Sequence, residues 1–206
     1  MAINNGIAVT CEDLQAVGGT RLIAIRAWQP DDVATYDNTD HTITSIIDVG
    51  GVDADWGVYE SRIESSSLTI TGAGEGKDFQ TYECSLSFFL PAITNTQFQR
   101  LQEMRDNCLM VMMIDNNDAA SGDTAPSASF LSNKVIGVSE QFNNLDKQER
   151  NQTYCTLTAI DGGTGAAFSD EIGVTVTVSC TQFEIPRAYK TGTITLGGTG
   201  LTLTTT

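Results

Sequence analysis

Nucleophilic catalysis by a hydroxyl or a thiol needs a base beside it, and the chain has one histidine to offer, His41, set in the acidic stretch Asp37 to Asp48. No G-x-S-x-G elbow accompanies it. A cysteine nucleophile would depend on the same histidine. Cys84 and Cys180 fall on the apolar side of alternating segments, where a thiolate is disfavoured, so both read as core and His41 as a surface residue. The run Gly162, Gly163, Thr164, Gly165 invites comparison with phosphate-binding loops. Those loops open a helix whose free amides face the anion, whereas these glycines precede a strand-like segment and no G-K-[ST] or G-x-G-x-x-G is present. The expected role is a tight bend before a core strand. Asp161 and the segment DNNDAASGD from Asp115 to Asp123 supply oxygens that a calcium ion could use, but EF-hand spacing fails at Ala119, and solvated turns are the simpler reading. No aromatic cluster marks a sugar cleft beside a carboxylate pair, and Asn151 to Thr153 is a glycosylation sequon that matters only on secretion. The expectation is therefore a protein that is not an enzyme, with no cofactor and no metal.

Bulk composition narrows the class further. Eleven basic residues stand against 26 acidic ones, a formal net charge of -15, which repels phosphate backbones and anionic membranes. The five cysteines, Cys11, Cys84, Cys108, Cys155 and Cys180, are odd in number, far apart and without a C-x-x-C pair, so they read as free thiols of a reducing compartment rather than a disulfide framework or a zinc site. The amino end lacks the basic and apolar regions of a secretory signal, which gives cytoplasmic synthesis as the expectation. Cys108 to Ile114, the longest apolar run, is far shorter than the roughly 20 residues of a membrane-spanning helix.

The elements that would carry such a surface are mostly strands. Gly19 to Trp28, Ser66 to Thr71, Thr81 to Leu90, Phe130 to Phe142, Gln152 to Ile160 and Ile172 to Cys180 have strand character, the last with Val174, Val176, Val178 and Cys180 alternating with Thr175, Thr177, Ser179 and Thr181. Asp31 to Glu64 mixes short apolar pieces with many acids and reads as a long excursion containing a hairpin rather than as packed core. After Pro91 the period changes to that of a helix over about 95–107. Thr94 and Gln97 form a capping-box pattern, and Phe98, Leu101, Met104 and Cys108 share one face. CLMVMMI then suits a strand buried on both faces. The expected architecture is mainly β: an antiparallel β-sandwich or barrel with one flanking α-helix, spanning residues 1–186 as one domain, and a Thr/Gly-rich arm over 187–206 that could pair as a hairpin around Gly197 and Gly198 but has too little apolar mass to fold alone, and so either pairs with a neighbour or stays mobile.

Two stretches, TYECSLSFFLPAITNTQFQRLQEMRDNCLMVMMIDNN from Thr81 and TGAAFSDEIGVTVTVSCTQFEIPRAY from Thr164, resemble the major tail tube proteins of tailed bacteriophages. The first has their strand, helix, strand order, and the second their late strand ending near a proline and a tyrosine. The resemblance implies a virion structural protein. Copies would close into hexameric rings by sheet-edge pairing, and the rings would stack through a long loop into a tube in the virion tail. It implies self, other tail proteins and passing genomic DNA as partners, the DNA without tight binding, with an acidic lumen keeping it from adhering. Residues 31–64 become the stacking loop, and contacts between rings or subunits fall to Asp53, Asp55, Trp56, Tyr59, Thr175, Thr177 and Tyr189. Rival readings are another virion part (decoration, neck or tail-terminator protein), a β-sandwich module binding sugars or a receptor through Trp56 and Tyr59, and a hydrolase built on His41.

Overall fold

The computed structural model describes residues 22–28, 32–47, 56–62, 65–74, 81–91, 94–114, 134–138, 153–163, 172–189, 194–197 and 202–203. Among these described residues thirteen strands and one helix follow in the order β1 (Leu22–Ala27), β2 (Val33–Asp37), β3 (Thr42–Ile47), β4 (Trp56–Glu60), β5 (Ser67–Ala73), β6 (Thr81–Pro91), α1 (Asn95–Asp106), β7 (Leu109–Ile114), β8 (Lys134–Ile136), β9 (Thr156–Gly163), β10 (Gly173–Gln182), β11 (Arg187–Tyr189), β12 (Ile194–Gly197) and β13 (Thr202–Leu203). They form a nine-stranded sheet in the order β13-β12-β4-β1-β7-β8-β11-β3-β2 and a four-stranded sheet in the order β5-β6-β10-β9. The mainly β, sandwich-like architecture with one helix is as expected. Two short pairings, β11 with β3 and β12 with β4, are parallel rather than antiparallel.

The large sheet is curled. Trp56 on β4 meets Tyr189 on β11 edge to face at 6.2 Å, although three strands separate β4 from β11 in the sheet. Chain length demands the same. From Tyr189 to Ile194 the backbone can reach roughly 18 Å, yet β12 lies five strand steps from β11, about 24 Å on a flat sheet. Curling gives the protein two cores. Inside the curl lie Ala24, Trp28, Ala34, Ile43, Ile46, Trp56, Met110, Met112, Val135 and Tyr189. Between the other face of the curl and the four-stranded sheet lie Ile23, Ile25, Leu109, Val111 and Ile136, opposed by Cys84, Leu86, Phe88, Leu90, Val174, Val176 and Val178. Strands β1 and β7 feed both cores with alternate residues, so Leu109 to Met112 within CLMVMMI are the doubly buried strand its composition predicts.

Residues 31–64 correct the expectation of an excursion outside the core. Within that span β2 and β3 form a hairpin and β4 pairs with β1, and Ile43, Ile46 and Trp56 are fully buried. Ile43 and Ile46 stand three apart, which breaks strand alternation. A bulge beside Thr35 and Tyr36 shifts the register and turns both isoleucines to the same core. In the carboxy-terminal segment β12 and β13 pair with each other, as its hairpin reading allows, and the correction is that β12 docks on β4 of the same chain rather than on a neighbour.

The helix starts as predicted. Thr94 Oγ1 accepts from the Gln97 amide at 3.3 Å, and Gln97 Oε1 accepts from the Thr94 amide at 2.8 Å, closing the capping box. Leu101 and Met104 are buried against the sandwich core, whereas Phe98, expected on the same face, is half exposed.

Candidate functional site

Alternation along β5, β6 and β10 sends most aliphatic and aromatic residues to the core and most hydroxyls to the other side, where Phe89 also lies, and a bulge interrupts the pattern in β9. Strand register assembles those hydroxyls into rows. Ser67, Ser87 and Thr177 lie side by side across β5, β6 and β10, followed by Thr69, Ser85 and Ser179, then Thr71, Glu83 and Thr181. Thr175 ends the series beside Phe89 and Asp161. A shallow depression of about 320 Å³ on this face is lined by Glu83, Ser85, Tyr154, Thr156, Ser179 and Thr181. Most of these side chains are short hydroxyls that offer hydrogen bonds to water, with Glu83, Asp161 and Phe89 among them, and none of those named is a cation that would hold a polyanion.

Both outer strands of this sheet have open edges: among the described residues, β5 pairs only with β6 and β9 only with β10. The edges are long, seven and eight residues, and their sequences SLTITGA and TLTAIDGG contain no lysine, arginine or proline to blunt them. Each carries an exposed isoleucine, Ile70 at 42 % and Ile160 at 43 %. Because every pairing in the sheet is antiparallel and the strand count is even, β5 and β9 run in opposite directions.

Of the residues anticipated as contacts, Thr175 and Thr177 lie on the hydroxyl face, while Asp53 and Asp55 lie outside the described residues. Trp56 and Tyr189 are corrected: at 1 % exposure each, their rings fill the interior of the curled sheet and present nothing to a neighbour. Tyr59 is half-buried; burial raises its phenol pKa, and the positive charge of Arg100 partly offsets this. With Trp56 inside, the pair that hinted at a sugar site is dismantled. His41 is exposed in the turn between β2 and β3 with φ of 54°, and its Nε2 lies 3.3 Å from the Ile185 carbonyl oxygen. Among the described residues no group of acids, histidines and cysteines is arranged to hold a metal ion, and no helix is long and apolar enough to cross a membrane.

The described half of the glycine run is strand rather than the bend expected of it. Gly162 and Gly163 are the last residues of β9, and a Cβ on Gly162 would collide with the Gly173 carbonyl and Val174, so glycine there permits close strand approach. Thr164 and Gly165 lie outside the described residues. Sequence reading missed the two open edges, although the absence of lysine, arginine and proline from both strands was visible. It also missed the ion pair between Arg26 and Asp32, for which the sequence holds no local signal.

No protein-family profile, curated protein or solved structure matches this chain.

Proposed function

We propose that the chain is a self-assembling structural subunit, and specifically the tube subunit of a phage tail, closing into rings that stack around a channel for DNA. The observation that carries this reading is the pair of open edges β5 and β9, which run in opposite directions on one even-stranded sheet. Placing β5 of one copy against β9 of the next continues the antiparallel pattern without a break and repeats until the ring closes. The pairing satisfies two rows of backbone groups and covers Ile70 and Ile160. In such a ring the hydroxyl face of Thr175, Thr177 and Ser179 becomes one continuous wall. A wall of hydroxyls on a chain of net charge -15 suits a channel that DNA traverses without counterion release.

The test is negative-stain microscopy of the purified full chain across a concentration series, with light scattering for mass. Rings or hollow tubes are expected. Rings that never stack would point to a neck or terminator component, and a monomer or trimer at every concentration would overturn the assembly reading in favour of a binding module.

A further inference from the structure

Two thiols face each other across the four-stranded sheet and a third lies at its margin. Cys84 on β6 and Cys180 on β10 are directly paired residues of an antiparallel ladder. Cys155 precedes Thr156, the residue facing Ser179, so the next step of that register sets it beside Cys180. All three are buried and free. The Cys180 thiol donates to Gln182 Oε1 at 3.8 Å and the Cys84 thiol to the Tyr82 carbonyl oxygen at 3.9 Å. Facing residues of an antiparallel pair have Cα atoms about 4.5–5.5 Å apart, within the roughly 4.4–6.8 Å that a disulfide spans.

We propose that Cys84 and Cys180 form a covalent cross-link site, closed by a two-electron oxidant of the peroxide class. Cys180 retains 8 % exposure against 1 % for Cys84, so its sulfur is the first target. Its thiolate attacks one peroxide oxygen, breaking the O–O bond, giving a sulfenic acid and releasing hydroxide, which takes up the proton the thiol gave up. The Cys84 sulfur then attacks the Cys180 sulfur, forming S–S, and the sulfenic oxygen leaves as water with the Cys84 proton. One peroxide is reduced to two waters, and the two thiols lose two electrons and two protons. The bond ties β6 to β10, the central strands of the sheet, and needs no second copy. Cys155 is the competitor, but it lies at an isolated bridge to Leu109 outside the continuous ladder, while Cys84 and Cys180 are fixed by ten successive pairs. The neighbouring Cys180 thiol, followed by burial, pushes Cys84 up, and Cys180 is pushed up chiefly by Cys155, so both are mostly thiol at neutral pH and the reaction is slow.

The experiment uses the full chain carrying Cys11→Ser and Cys108→Ser, exposed to hydrogen peroxide at pH 8 until oxidation is complete, then alkylated in denaturant and digested without reduction. The expected product is a Cys84 peptide joined to a Cys180 peptide with loss of two hydrogens, released by dithiothreitol, with Cys155 alkylated and the particle mass unchanged. Recovery of Cys84 and Cys180 as alkylated thiols or as sulfinic acids, or a link from Cys180 to Cys155, overturns the proposal. Cys155→Ala should leave the link intact, and its loss in that variant would also overturn it.

Discussion

Arg26 reaches Asp32 at 2.7 Å with both side chains almost wholly buried, and its Nη1 has no hydrogen-bond partner among the described residues. A charge so placed tolerates no loss of its counterion. Asp32→Ala should cost about 3–5 kcal/mol, read as a fall in the urea midpoint, whereas replacing both residues with apolar ones of similar volume should recover most of it. The thiols make a second statement at this scale. Cys84 and Cys180 have folded-state pKa values raised above the ordinary thiol range, so above about pH 8.5 the unfolded chain releases protons that the folded one keeps. Their contribution is complete below that pH and is lost as pH rises, by about 1.4 kcal/mol per pH unit for each thiol. Tyr59, also raised, adds to the loss near pH 10. Lys134, lowered by burial, opposes it. Urea midpoints at pH 8 and pH 10 measure the sum, and an unchanged midpoint would contradict the buried placement of the thiols. Cys84 and Cys180 were placed correctly from sequence because alternation is local. The partner of Arg26 was not, because two charges six residues apart with Pro30 between them look like any solvated pair in the sequence.

Elements with a strong local signature were legible, and those defined by distant pairing were not. Helix α1 is declared by Thr94 and Gln97, and Thr94→Ala should cost about 1 kcal/mol by removing one cap bond, measurable as a lowered thermal midpoint with the fold intact. Strand β10 shows its burial in every second residue. Strands β2, β3 and β4 hide theirs, because the bulge breaks the alternation of β3 and the acidic residues around them mimic a loop. Trp56 and Tyr189 were misread for the same reason. Tryptophan and tyrosine suit an interface or a core equally by type, and here only the curl of the large sheet decides between them.

For the molecule as a unit, the features that bear on assembly are the two outer strands of the small sheet. A single lysine on either edge should oppose pairing between copies while leaving each copy folded, since Ile70 and Ile160 are already exposed to water. Ile70→Lys and Ile160→Lys should each keep the circular dichroism of the parent and raise the concentration needed for assembly at least about tenfold by light scattering. Unaltered assembly in both variants would remove the edges from the interface. The opposed directions of β5 and β9 also fix an orientation. Copies joined edge to edge through that pair all point the same way, so whatever they build has two chemically different ends. It can be started at one, capped at the other and travelled in a defined sense.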